Sequence, residues 1–456
     1  MRKDYKRFLT ILKDNPVLYD TAQKVLGKHQ GALSLVGETT YSLTAPIMYL
    51  YTKWVLQSAL NQGISRLYFL ARDGFILYKT AVLICKQYHL DIECKYIYVS
   101  RYALRIPQYH LDMEVSMDKI FGNAANITLK KIFDRVAFDD RQISEVMNQV
   151  SIDIDQLHSQ LNYTELKEVK QRFQACQVFQ QMVMENSKKA YDSTIAYMKQ
   201  EGLFDEIEYA IVDVGWIGTI QQSMEALVNS YRSKPIQLKG FYFGLYDTPD
   251  NMNPNNFNTF YFNSRNGLKR KVMFNNNIFE CLCAANNGMT IGYETKNRMY
   301  IPMFSSEKNV NAGSWPIEEQ INGVQEFAKE AVIVDTISRQ ANKRDMQIIY
   351  TLCKEFMCRP TKREAIEYGR FKFSDDITEK NLTSLAIEMT KEEIRENRLI
   401  YYILERMGSA VHTKISCWPE GSIVIAGGRE TRWNQIDCIL LRTIRYIKMN
   451  IKKVKR

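Results

Sequence analysis

Three short stretches set charged and small residues directly behind apolar runs. In LYFLARDGFIL (67–77), Arg72, Asp73 and Gly74 follow a five-residue apolar segment and precede another. In YIYVSRYAL, Ser100 and Arg101 occupy the same place, and in EYAIVDVGWIGTIQQ it is taken by Asp213, Gly215, Trp216, Gly218 and Thr219. Ligands of open parallel sheets bind beyond the carboxyl ends of the strands, so such residues form one candidate site. Arg72 and Arg101 suit a phosphate, which a guanidinium grips with two parallel hydrogen bonds. Asp73 and Asp213 are candidates for general base, nucleophile or magnesium ligand. Gly215 and Gly218 let the backbone approach an anion, and the helix opening at Thr219 offers unpaired N–H groups and its positive dipole end. Thr219 either caps that helix or donates to a phosphate oxygen. Trp216 is either a stacking face for a sugar or base, or a hydrophobic plug. Glu280, in NNNIFECLCAA, is either a buried acid facing the site or a first-turn helix charge.

Each residue also has an ordinary reading. Asp73-Gly74 suits a turn with Asp as helix cap, and Arg101 suits a surface ion pair. Three polar strand ends in one sheet favour a shared site. Two arginines and two aspartates would leave the empty pocket near neutral. A bound phosphate then turns it negative, which favours a magnesium ion as companion.

Other chemistries fit less well. The phosphate-loop pattern G-x-x-x-x-G-K-[ST], the dinucleotide pattern G-x-G-x-x-G and the hydrolase elbow G-x-S-x-G are all missing from the sequence. Cys281 and Cys283 have no second cysteine pair, and the chain holds only five histidines, which argues against zinc. His110 and His412 have no recognisable triad partners, and Asp153 with Asp155 reads as a helix cap. The net charge of +10 is dispersed, without a basic stripe interleaved with aromatics, so nucleic acid is disfavoured. The basic cluster KMNIKKVKR at 448–456 is a solvated end, or a contact with anionic lipid or with nucleic acid. Nine scattered cysteines and an N-terminus lacking a signal-peptide core point to reduced thiols and a cytoplasmic location, and membrane association is one of the alternatives that the tail leaves open.

The elements that must hold these residues follow from the hydrophobic pattern. Strands are expected at 66–71, 95–100 and 207–213, with two aromatic-rich strands in LKGFYFGLYD and NTFYFN. Helical patterns alternate with them, which predicts an α/β fold with a Rossmann-like, mainly parallel sheet. The expected organisation is N-terminal helices over 1–64, an α/β core over 65–115 and 206–305, a helical insertion or cap over 116–205, and a helical region with the basic tail over 306–456. The apolar segment 41–60 is interrupted by Pro46 and Lys53 and reads as a buried helix, not a membrane span. CWPEGSIVIAGGRETRW reads as a loop, with a last helix from 434.

Taken together and in this order, LYFLARDGFIL, YIYVSRYAL, VDVGWIGTIQ and IFECLCAANNGMTIGY resemble a bacterial family described as haloacid dehalogenase-superfamily hydrolases and found with surface-polysaccharide genes. The resemblance runs from about residue 35 to about residue 300, with an echo in CWPEGS. It implies an enzyme acting on a phosphorylated sugar or nucleotide-sugar, by phosphoryl hydrolysis or by glycosyl or phosphoglycosyl transfer. Some members join a dehalogenase-like domain to a region like this one, and this chain resembles the second region. Dehalogenase-type phosphatases carry D-x-D, the second Asp being the proton donor; here Asp73 is followed by Gly74 and Phe75, so Asp213 would have to supply the proton. The alternative is a non-catalytic sugar-phosphate or nucleotide-binding protein, or a scaffold of a polysaccharide assembly.

Overall fold

Five segments form one sheet. β1 (Arg66–Leu70), β2 (Glu93–Ile97), β3 (Tyr209–Trp216), β4 (Lys239–Leu245) and β5 (Phe257–Phe262) lie in the order β2-β1-β3-β4-β5, every neighbouring pair parallel. The structure is a computed structural model. It describes residues 4–454 apart from 30, 123–126, 339, 375–377, 380–381, 397 and 399–415, without the side chains of 451–454. The inner strands β1, β3 and β4 are largely apolar and buried because both faces of the sheet are covered there, whereas the edge strand β2, ECKYI, is buried only at Ile97. Alternate side chains enter two different hydrophobic clusters. Leu67, Phe69, Val212, Phe241 and Phe243 face one. Tyr68, Leu70, Ile211, Tyr242 and Leu245 face the other.

The first cluster is roofed by helices Ala45–Asn61, Gly74–Tyr88 and Ile317–Val334. Helix Ala45–Asn61, the expected buried helix, follows a π-helical turn at Thr40–Thr44, and its Lys53 pairs with Asp335 at 2.6 Å. Its Tyr51 hydroxyl donates to the carbonyls of Asp213 (2.7 Å) and Phe241 (3.0 Å), tying it to the sheet. Among the described residues no helix is long and apolar enough to cross a membrane.

The chain leaves β1 for β2 on one side and returns to β3 on the other, so the order reverses between β1 and β3. That reversal opens a crevice at the carboxyl ends of the two strands. The strand limits differ from expectation most at the carboxyl ends of β3 and β2. β3 continues to Trp216, pairing Gly215 with Gly244 and Trp216 with Leu245, so Asp213 lies within the strand. β2 ends at Ile97, because the Tyr98 N–H is taken by the Tyr197 hydroxyl (3.0 Å) and Ser100 then caps helix Arg101–Arg105.

Helices Met113–Ile120, Leu129–Arg135, Asp140–Gln149, Tyr163–Ala175 and Gln177–Gln200 occupy most of 113–200. They build a hydrophobic cluster of their own around Phe121, Phe133, Phe138, Phe173 and Phe179. Asp153 caps the short turn Ile154–Gln156, accepting from the Asp155 N–H at 3.0 Å. An antiparallel hairpin, β6 (Thr290–Lys296) and β7 (Met299–Phe304), follows the core strands. CWPEGSIVIA is not the expected loop. Pro419–Ala426 is a helix, with Pro in its first turn, and Trp418 ahead of it is fully buried, donating from its indole to the Met357 carbonyl at 2.7 Å. The last helix, Thr431–Val454, starts three residues before the expected 434. His412 lies outside the described residues, as do residues 455–456 and the side chains of 451–454 in the basic tail.

Candidate functional site

A cleft of about 380 Å³ opens where β1 and β3 end. Ten of the eleven sequence candidates line it. The exception is Gly74, buried behind it as the first residue of helix Gly74–Tyr88, where a Cβ would press on the Phe69 backbone at 3.0 Å.

β1 delivers Arg72 and Asp73. Asp73 stands at the N-cap position of helix Gly74–Tyr88, yet its side chain caps nothing, and its carboxylate forms no hydrogen bond among the described residues. Arg72 is differently placed from the expected open phosphate ligand. Its guanidinium holds Glu379 in a two-pronged ion pair, with the longer prong Nη1 to Oε2 at 3.2 Å, and Nη1 also donates to Asn309 Oδ1 at 3.1 Å. Beyond β2, the Ser100 hydroxyl accepts from the Ala103 N–H (2.9 Å) and donates to the Thr290 carbonyl (2.6 Å), so both its capacities are spent on helix Arg101–Arg105 and the hairpin. Among the described residues Arg101 is the free cation of the cleft. It is exposed, and its side chain has no hydrogen bond or ion pair among the described residues.

β3 supplies the other wall. The Asp213 side chain is half-buried, with Oδ1 accepting from the Val214 N–H at 2.8 Å. Gly215 (φ +120°) lets β3 and β4 close up, for a Cβ there would strike the Gly244 carbonyl oxygen. Trp216 adopts φ +93°, a costly conformation for a bulky side chain. It is held by its indole N–H, which donates to Glu280 Oε1 at 2.6 Å, and by its carbonyl, which accepts from the Tyr246 N–H at 2.8 Å. The ring packs on Tyr246, Phe274 and Phe279. Trp216 therefore orients Glu280 and also lines the cleft. Gly218 (φ +74°) is the cap residue of helix Thr219–Tyr231, which has no side-chain cap. Thr219 is thus the first helical residue, not the cap, and the helix presents uncapped N–H groups at the cleft.

Glu280 sits in helix Asn276–Cys283, and the side chain that the sequence left open between site and surface faces the cleft. Burial pushes the Asp213 carboxyl up to about 7; the charge of Asp73 adds to this, while the Val214 N–H and Arg101 oppose it. Burial also raises Asp73, against the pull of Arg72 and with a push from Glu379, and Arg101 opposes it as well. Burial raises Glu280 in turn; Asp73 adds to this, and the Trp216 N–H, Arg101 and Arg72 oppose it. The expected balance of two arginines against two aspartates is altered by Glu280 and Glu379. Four acids face two guanidinium groups, and the cleft limits its negative charge by holding protons on carboxyls.

Sequence reasoning missed Glu379, Thr290, Asn276 and Asn311, all of which line the cleft. Thr290 Oγ1 and Asn311 Oδ1 are buried without a hydrogen-bond partner among the described residues. Thr290 lies inside the segment IFECLCAANNGMTIGY, so that segment was the signal for it, whereas nothing local marks Glu379. Cys281 and Cys283 are buried free thiols that do not line the cleft. Among the described residues no three His, Cys, Asp or Glu side chains gather closely enough to hold a metal by themselves. No protein-family model and no curated protein matches the chain.

Proposed function

We propose that the cleft binds a phosphorylated sugar or nucleotide-sugar and carries out acid–base chemistry at its phosphate, by phosphoryl hydrolysis or by glycosyl or phosphoglycosyl transfer. One observation carries this reading. Three carboxyls with raised proton affinity, Asp73, Asp213 and Glu280, surround an exposed and unpaired Arg101 beside an uncapped helix N-terminus. Arg101 and the first N–H groups of helix Thr219–Tyr231 would take the phosphate oxygens. Glu280, protonated near neutral pH, would give a proton to the leaving oxygen, and the unbonded carboxylate of Asp73 would act as nucleophile or as base toward water.

Magnesium fits this donor set as a shared ligand of protein and substrate. It is commonly held by one or two carboxylates together with substrate phosphates, and Asp73 and Asp213 offer two. When bound it would offset charge developing on the phosphoryl oxygens. The same reading takes the fold as Rossmann-like, supported by the strand order and its reversal at β1 and β3. The setting of bacterial cell-surface polysaccharide assembly rests on the resemblance of the four segments, and its cytoplasmic side on the scattered cysteines and the N-terminal sequence.

A second reading, a binding or scaffold protein without turnover, is favoured by Phe75. It stands where D-x-D would place the proton donor, and its ring packs edge-on against Tyr96 at 5.2 Å. Calorimetric titration with sugar 1-phosphates and nucleotide-sugars, with and without magnesium, tests the binding that both readings share. Turnover of a ligand that binds then separates them. Binding that survives Arg101→Ala unchanged overturns the assignment of the cleft.

A further inference from the structure

The last helix, Thr431–Val454, is fixed to the body along one side only. Tyr446 stacks on Tyr246 with ring centroids 5.4 Å apart, Arg442 pairs with the fully buried Glu420, and Arg398 donates to Asn434 Oδ1 at 2.8 Å. The opposite side carries large apolar residues in the open. Trp433 is 69% exposed, Ile436 44%, Leu440 44% and Ile447 42%. Their spacing of three, four and seven places them in one stripe, about 21 Å long at 1.5 Å per residue. A continuous apolar stripe led by an exposed tryptophan marks an interaction surface.

The helix charge decides among occupants. From Thr431 to Val454 the sequence holds six basic residues, Arg432, Arg442, Arg445, Lys448, Lys452 and Lys453, against one acid, Asp437. Arg432 and Lys448 are exposed on the two flanks of the stripe, Arg445 is exposed further round the helix, and Arg442 and Asp437 make ion pairs on the body side. Pairing two copies of this helix would set its basic excess against itself, since its one acid, Asp437, already lies beside Arg398. An anionic lipid surface matches both features, because the apolar stripe can enter the headgroup boundary while the cations meet lipid phosphates.

We propose that the Trp433–Ile447 face of the last helix docks on an anionic membrane surface, lying in its plane rather than crossing it. The helix is joined to the cleft through aromatic contacts, since Tyr246 beneath Tyr446 also packs on Trp216 at 5.9 Å. Docking would therefore hold the catalytic candidates at a fixed offset from the lipid.

The test is flotation of the full chain with phosphatidylcholine vesicles, either pure or containing about 30% phosphatidylglycerol. The intact protein is expected to float with the anionic vesicles and to detach as salt is raised. The double variant Ile436→Ser, Leu440→Ser is expected to bind at least about tenfold more weakly. Arg432→Glu with Lys448→Glu should abolish the preference for anionic vesicles. All four side chains are exposed, so an unchanged circular dichroism spectrum and urea midpoint should accompany these losses. No flotation of the intact chain, or equal flotation of the Ser variant, overturns the proposal. So does a concentration-dependent dimer that the Ser variant dissolves, which would make a second copy the occupant.

Discussion

Asp213→Asn isolates the electrostatics of the cleft. The folded protein holds the Asp213 proton up to about 7, against an ordinary 3.8. Because the folded state binds this proton more tightly than the unfolded chain, the associated stability is fully present below pH 3.8. It falls as pH rises toward 7 and is lost above it. At about 1.4 kcal/mol per pH unit, the interval corresponds to about 4 kcal/mol. That figure is an upper bound, because the side chain is half-buried in a cleft that admits water; about 2 kcal/mol is the expected size after screening. Asn keeps the shape and keeps an oxygen for the Val214 N–H, so the variant should match the wild type near pH 4. It should exceed the wild type by about 2 kcal/mol near pH 8. Urea unfolding followed by tryptophan fluorescence at both pH values gives the difference, in which contributions from other carboxyls cancel. Parallel stability curves for the two proteins across this range would refute the raised proton affinity of Asp213 and the picture of a cleft that stores protons.

Arg101→Ala should weaken phosphate binding by about 1.5–3 kcal/mol and, by removing a cation that favours their charged forms, raise the proton affinity of Asp73, Asp213 and Glu280 further; calorimetry and the pH dependence of urea unfolding check the two halves. Glu379→Gln should tighten phosphate binding by about 1 kcal/mol or more, by removing a like charge and loosening its hold on Arg72; weaker binding would show that Glu379 instead positions Arg72 for the ligand. Trp216→Phe deletes the donor to Glu280, costs about 1.5–3 kcal/mol, and moves any Glu280-dependent step to higher pH, read from a pH–rate or pH–binding profile. Gly218→Ala combines φ +74° with a Cβ 2.5 Å from Phe257 Cε1. It should destabilise by about 2 kcal/mol or more, measured by urea unfolding.

The parts of the fold that sequence displays are those made by local periodicity. Apolar runs such as LYFL and YAIV show where buried strands lie, and the polar residue behind each run shows which end faces a ligand. The errors arose where distant partners reset a boundary. β3 outlasts Asp213 because Gly215 and Gly244 allow two backbones to close up, and β2 stops early because a tyrosine hydroxyl a hundred residues away claims its next N–H. CWPEGSIVIA resembled a loop by its Pro and Gly content, but Pro in a first turn is compatible with a helix, and Gly421 has no Cβ to strike the ring of buried Trp418.

Arg72 shows why chemistry is less legible than position. Residue type and place fitted a phosphate ligand, and the cleft does contain it. Its charge, however, is already met by Glu379, whose position 307 residues further on no local pattern marks. The exposed Arg101, identical in charge and also at a strand end, has no such partner among the described residues. A guanidinium can bind an incoming anion only to the extent that no resident carboxylate holds it, so the two arginines are unequal despite equal sequence signals. Which one answers phosphate is a property of tertiary pairing, and the Arg101 and Glu379 variants read that pairing from its two ends.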